Sequence, residues 1–249
     1  MIVIAEKIDE VKLLTFNHPK TTNPFSDALQ DAVMENLDIA DNEEDTKAIV
    51  IYGGKDRSFS AGGDFGEVVD MCDYDTVARL LGKVVDFYIQ ILKTKKPIIA
   101  AIDHHAIGMG FQVALCSDVR IASQRAKFRM PELKNGVACT LGGYMLDYCI
   151  GRFHNQMICY DCNTLDLEYC KMLGIISEIV AEDQLLLSAI NKAKHYASYP
   201  ALAFMRTRAS NNRRFIEILE KARKDTIEDH AAVFMSKQHQ NYMNAILNK

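Results

Sequence analysis

Through the first 140 residues, short apolar runs alternate with amphipathic stretches, and the two periods predict different elements. The runs Val11–Phe16, Ala48–Tyr52, Ile98–Ile102 and Val119–Ala122 read as strands buried on one or both faces. Between them, Phe25, Leu29, Ala32, Val33, Asn36 and Leu37 follow helical spacing behind an Asn23-Pro24 start signal, with a polar departure at Asn36. Val77–Leu92 predicts a second amphipathic helix, stopped by Lys95-Lys96-Pro97. Beyond residue 140 a single short run, Ile175–Val180, reads as a strand. Helices are predicted over Leu185–Ala197, Pro200–Arg208 and from Arg213 to about Phe234. This order predicts an α/β fold whose core is followed by a helical C-terminal region. No stretch reads as a linker, a low-complexity segment or a solenoid repeat.

Composition narrows the class. Of the 249 residues, 49% are hydrophobic and 25% charged, which excludes disorder, collagen-like repeats and coiled coil. A net charge of −4 supplies no general basic field for nucleic acid or an anionic membrane. A polyanionic ligand would have to be held by a local cluster of Lys, Arg and backbone N–H groups. The start MIVIAEK has neither a basic region nor a sustained apolar one, so no signal peptide is expected. The longest stretch free of Asp, Glu, Lys and Arg, His104 to Ser117, is too short and polar for a bilayer span of about 20 apolar residues. Seven cysteines without a disulfide-style framework point to a reducing, cytoplasmic setting.

Two glycine-rich corners stand out. Arg57-Ser58-Phe59-Ser60-Ala61-Gly62-Gly63-Asp64-Phe65 follows the strand ending at Tyr52, and Ala106-Ile107-Gly108-Met109-Gly110-Phe111-Gln112 follows the strand ending at Ile102. Backbone N–H groups at strand–turn–helix corners are free to face a negative oxygen. Two such corners together would form a two-donor oxyanion hole, at a few kcal/mol per donor in the transition state. Neither corner matches a phosphate loop or a GxGxxG dinucleotide turn.

Phe59 through Asp64, the Gly108–Asp118 segment and Phe128-Arg129-Met130-Pro131-Glu132-Leu133, in this order and separation and with His18-Pro19 and Asn23 upstream, resemble the crotonase (enoyl-CoA hydratase/isomerase) superfamily. The resemblance covers most of the chain. It implies a spiral of ββα units over residues 1–195, then a helical region over 196–249 that serves oligomerisation and covers the active site. It also implies a homotrimer or hexamer, and an acyl-CoA thioester bound as substrate with no tightly bound cofactor or metal. In that template the amides of Gly63 and Met109 hold the thioester oxygen, while Phe25, Ser60, Ala61 and Gly63 lie near the nucleotide and pantetheine. Asn23-Pro24-Phe25-Ser26, Tyr52-Gly53-Gly54, Arg57 through Phe65, Ala106 through Gln112, Met130 through Lys134 and Ala197 through Ala201 are most similar to the members that join malonyl-CoA to pyrroline-5-carboxylate.

The carboxylates refine the chemistry. Hydratases of the family use two carboxylates, one in each glycine-flanked motif. Here one position is Gln112, which exchanges no proton at neutral pH, and the other is Glu132. A lone carboxylate can move one proton or orient water. That argues against simple hydration. It fits decarboxylation of malonyl-CoA to an enolate, addition to pyrroline-5-carboxylate and thioester hydrolysis by Glu132 aided by Gln112. The alternatives are an enoyl-CoA isomerase, a malonyl-type decarboxylase, and a non-catalytic or RNA-binding relative. The acidic charge disfavours RNA binding, and Glu132 with both glycine corners disfavours a non-catalytic relative.

Other residues carry weaker signals. Phe215, Leu219, Ala222, Thr226, His230 and Val233 form a helical stripe, so His230 is either a satisfied core histidine or, by the resemblance, a residue near the second substrate's carboxylate. Cys159-Tyr160-Asp161-Cys162 lacks the second half of a zinc set and reads as packing cysteines. His104 and His105 on a strand would face opposite ways, and His104 falls where most relatives carry glycine. Arg206-Thr207-Arg208 and Arg213-Arg214 read as a solvated face that is also able to meet CoA phosphates. The chain has no Trp, and Leu80 falls near the place where relatives build a pocket wall with indole.

Overall fold

The computed structural model describes residues 1–247. The chain runs β1 (Val3–Ile8), β2 (Val11–Phe16), α1 (Asp27–Asn42), β3 (Ala48–Tyr52), α2 (Phe65–Val68), α3 (Tyr74–Lys93), β4 (Ile98–Ile102), β5 (His105–Ile107), α4 (Met109–Leu115), β6 (Val119–Ser123), β7 (Lys127–Arg129), α5 (Thr140–Ile150), α6 (Arg152–Asp161), α7 (Leu167–Met172), β8 (Glu178–Val180), α8 (Leu185–Ala197), α9 (Ala201–Met235) and α10 (Gln238–Leu247). The main sheet has the order β1-β2-β3-β4-β6-β8, antiparallel at β1–β2 and parallel thereafter. Both its faces are covered, which is why its central strands are continuously apolar. Ile49, Ile51, Ala100 and Ile102 face a core shared with α1, α3 and α4, while Val50, Ile99, Ala101 and Ile121 face Leu185, Ala189 and Ala193 of α8.

β5 and β7 pair in parallel in a small second sheet. The chain therefore visits the main sheet, then the small one, then a helix, in the sequence β4-β5-α4 and again β6-β7-α5. These are the ββα turns of the expected spiral. Asp103 holds the first crossing, accepting from Ser123 Oγ at 2.7 Å, from Arg125 and from the His104 amide at 2.9 Å. Burial opposes ionisation of Asp103, yet those donors together hold its carboxyl below the usual range. His104 has φ +50° at this crossing, the left-handed region that favours glycine.

Several expectations are corrected. The strand β1 escapes the apolar pattern because it is an edge strand whose residues, Val3 apart, are largely exposed. Helix α1 begins at Asp27, capped by Ser26 Oγ, rather than at Asn23-Pro24. Asn23 is instead a buried latch, its Nδ2 donating to Gly53 O at 2.7 Å and Ser58 O at 2.6 Å, and Phe25 bridges to Gly63. Only Glu178–Val180 of the run from Ile175 is strand. His104 lies outside β5, so its ring stacks on that of His105, centroids 6.3 Å apart, rather than facing away.

The expected break between Arg208 and Arg213 is absent, and α9 runs unbroken for 35 residues. Arg208 lies within this helix. It is buried, not solvated, and donates from Nε to Asp118 Oδ2 at 2.8 Å and from its remaining nitrogens to the carbonyls of Ile91, Leu92 and Thr94. The guanidinium thus satisfies carbonyls orphaned at the end of α3 and neutralises Asp118. Replacing Arg208 with Met removes the counter-charge of Asp118 and the guanidinium donors of Ile91 O and Thr94 O, while Leu92 O keeps Asn212 Nδ2 and Asp118 Oδ2 keeps the Ile98 amide. The expected loss is about 3–5 kcal/mol in urea unfolding, and a loss under 1 kcal/mol would contradict this role.

Candidate active site

The site grows from three short segments laid side by side. Ser60 pairs with β5, its N–H donating to His105 O at 2.8 Å and its carbonyl accepting from Ile107 N at 3.0 Å. On the other side β5 pairs with β7, and Gly108 N donates to Arg129 O at 2.9 Å. All three run parallel, so their ends lie together: Gly62-Gly63, Gly108-Met109 and Pro131-Glu132. The close approach depends on glycine. A Cβ at Gly110 would meet Ser60 O at 2.5 Å, and one at Gly108, where φ is +52°, would come 3.1 Å from Glu132 Oε1.

Gly63 and Met109 both line one cavity of about 180 Å³. Among the described residues, neither amide donates to another group, and a Cβ at Gly63 would meet nothing within 4 Å. Two free N–H groups from separate turns therefore border one space, the arrangement that stabilises a developing oxyanion.

Glu132 opens the short 3-10 turn after β7, and its carboxylate faces the same cavity. Burial pushes its pKa up to about 7, against the lowering effects of its own backbone, the neighbouring Cys139, the Gln112 amide and the Arg129 charge. Oε1 accepts from Gln112 Nε2 at 3.2 Å, whereas the buried Oε2 has no partner among the described residues. A carboxylate poised near neutrality with one free oxygen suits proton transfer. Gln112 Oε1 accepts in turn from the hydroxyl of Tyr88, 3.0 Å away.

On the opposite wall, α9 contributes Thr226, His230 and Phe234, and α10 contributes Met243. Nδ1 of His230 lies 2.8 Å from Thr226 O. A carbonyl only accepts, so Nδ1 carries the hydrogen and Nε2 is the free nitrogen. Burial lowers the His230 pKa, leaving a neutral ring that accepts at Nε2. The Thr226 hydroxyl, fully buried and unpartnered among the described residues, is the donor beside it.

The structure thus brings Glu132, Gln112, Gly63, Met109 and His230 to one cavity, together with Phe25, Ala61 and Leu80. Ser60 does not join them. Its side chain is fully buried beneath Gly110, and its Oγ accepts from Gly62 N at 3.2 Å, so it shapes the first corner without reaching the cavity. Arg206, Arg213 and Arg214 are exposed and lie outside the lining. Cys159 and Cys162 are buried free thiols, and the described residues hold no cluster of three or more His, Cys, Asp or Glu placed for a metal ion. No described helix is long and apolar enough to cross a membrane. Two site residues escape the sequence pattern: Tyr88 occupies an apolar position of α3, and Thr226 an apolar stripe position of α9. The only signal for either is a polar atom that must find a partner in a core position.

A family model described as enoyl-CoA hydratase/isomerase matches residues 6–249. The chain is 40% identical over 248 residues to carboxymethylproline synthase of Pectobacterium carotovorum subsp. carotovorum, covering 100% of this chain and 99% of that one. It is 26% identical to the short-chain-enoyl-CoA hydratase of Clostridium acetobutylicum, covering 99% and 95%. Among solved structures, ThnE from S. clavuligerus superposes with a TM-score of 0.78 at 30% identity, covering 91% of this chain and 100% of that chain. An enoyl-CoA hydratase from Bacillus halodurans reaches a TM-score of 0.88 at 22% identity, covering 98% and 100%, a likeness of fold.

Proposed function

This chain belongs to the enoyl-CoA hydratase/isomerase family, and on that premise we propose that it is a carboxymethylproline synthase-like enzyme joining malonyl-CoA to pyrroline-5-carboxylate. The observation that carries the reading is the pair of free amides on a cavity where Asp27 and Asp64 are paired with lysines and Glu67 accepts from the Asp27 amide. This leaves Glu132 as the carboxylate with an unpartnered oxygen among the described residues, with Gln112 where a hydratase would place its second. In the first step the bond to the malonyl carboxylate breaks, CO2 leaves, and its electron pair forms an enolate. Gly63 and Met109 N–H groups receive the enolate oxygen, so no base is required. The enolate carbon then attacks the C=N carbon of pyrroline-5-carboxylate, the C=N π pair moves to nitrogen, and the nitrogen takes up a proton from solvent. The second substrate's carboxylate is received by the Thr226 hydroxyl, and by His230 once Nε2 carries a proton.

Hydrolysis follows in the same cavity. Glu132 takes a proton from water as the oxygen adds to the thioester carbonyl, whose charge returns to the two amides. The tetrahedral intermediate expels CoA thiolate, which recovers that proton from Glu132. Because hydrolysis requires ionised Glu132 and decarboxylation does not, the two steps separate with pH. Hydrolysis is expected to rise with pH and reach half its maximum near the Glu132 pKa of about 7, while CO2 release lacks that limb. Single-turnover measurements from acid to alkaline pH check this, and identical profiles for both steps would contradict it.

The reading itself is tested by incubation with malonyl-CoA, with and without pyrroline-5-carboxylate, following CoA release and product mass. Carboxymethylproline formed only with the imine supports it. Acetyl-CoA alone would identify a decarboxylase. No turnover of malonyl-CoA with conversion of a 3-enoyl-CoA would identify an isomerase, with Glu132 moving the proton.

A further inference from the structure

Tyr88 lines the site and has no place in the steps above. It lies fully buried on α3, and its hydroxyl donates to Gln112 Oε1 at 3.0 Å. The amide then presents Nε2 to Glu132 Oε1 at 3.2 Å, with Met130 Sδ 3.7 Å from the same nitrogen. The two ends of a carboxamide are nearly identical in shape, so hydrogen-bond partners alone decide which end points where. On the oxygen side of Gln112 that partner is the phenol, a donor at neutral pH because burial pushes its pKa well above the ordinary tyrosine value.

Resting on the reading of Glu132 given above, we infer that Tyr88 is a positioning residue for thioester hydrolysis: its hydroxyl fixes the Gln112 amide with N–H toward Glu132, and so keeps Glu132 a carboxylate. Without the phenol donor, Gln112 is free to turn its carbonyl to Glu132. A carbonyl pairs there only with the protonated acid, so the turned amide favours the inactive form. The other groups facing Glu132 are Arg129 from β7, whose charge favours the carboxylate, Cys139 ahead of α5, His230 on α9, and the acids Asp27, Asp64 and Glu67 that line the same cavity. None of them is altered when the phenol oxygen is removed.

Tyr88→Phe deletes that one oxygen. In the free protein, titration of the Glu132 carboxyl by 13C NMR is expected to move upward by roughly one pH unit. The acid limb of hydrolysis is expected to follow. With malonyl-CoA and pyrroline-5-carboxylate, hydrolysis then falls about eightfold at pH 6.5 and stays nearly unchanged at pH 9. In a Gln112→Leu background the same substitution is expected to leave the titration where it was, because the relay is already cut. An unmoved carboxyl midpoint with a uniform loss at every pH would overturn the inference and leave Tyr88 as packing. A shift that survives Gln112→Leu would overturn it too. If the carboxyl midpoint moves but malonyl-CoA is not turned over, the relay stands and the substrate assignment falls.

Discussion

Glu132→Gln is expected to slow thioester hydrolysis by ~10²- to 10⁴-fold while leaving decarboxylation and carbon–carbon bond formation in place. The product should then accumulate as its CoA thioester, visible by mass, with CO2 released and free thiol withheld. The selectivity follows from the geometry. Glu132 is the buried carboxylate with an unpartnered oxygen on the cavity of the two amides, and the enolate forms by loss of CO2, not by proton abstraction. The same substitution is expected to stabilise the fold at alkaline pH. An unfolded glutamate ionises near about 4.3, whereas burial holds Glu132 at about 7. Between those values the folded state keeps a proton that the unfolded chain has released, so stability falls as pH rises through the window. Above it, wild type carries the full cost of a buried charge and Gln does not. Glu132→Gln should therefore melt higher than wild type at pH 8, and a lower melting temperature alongside lost activity would mean that misfolding explains the loss.

The oxyanion hole makes the second large prediction. Met109→Pro deletes one N–H and is expected to slow CO2 release from malonyl-CoA by ~10²- to 10³-fold. The fold should tolerate it, because Met109 is the first residue of α4 and proline fits that position. Gly108 before it has a non-helical backbone, so the proline ring meets no helical residue there. Met109→Ala keeps the amide and removes the side chain, and is expected to retain decarboxylation within tenfold of wild type. Equal losses in the two variants, measured as CO2 release, would assign the effect to the thioether and not to the amide.

Much of this site is legible in the sequence because its parts are local. A glycine turn after a strand, and an acid after a proline, announce themselves wherever they occur. Such signals alone read as ordinary turns and a surface acid, and it is the resemblance to the crotonase superfamily that singles out Glu132, Gln112, Gly63 and Met109. What brings them together is not local. β5 and β7 have three residues each, too few to establish a period, and their pairing lays the three corners side by side. Arg208 illustrates the opposite failure. In a run of basic residues on a polar stretch it reads as solvated, and only its partners at the end of α3, over a hundred positions away, make it a buried anchor. Ser60 fails likewise: its place in a functional motif suggests contact with ligand, while its burial shows that it shapes the turn. The relay from Tyr88 lies furthest from sequence view. A tyrosine in an apolar stripe gives no sign of which acceptor its hydroxyl finds.

A complex with a non-hydrolysable malonyl thioester analogue, solved by crystallography, asks the most direct question of all. The thioester carbonyl oxygen, or the atom replacing it, should lie about 2.7–3.2 Å from both the Gly63 and the Met109 nitrogens. A carbonyl seated elsewhere in the cavity, or reaching only one of the two amides, would contradict the account at its root.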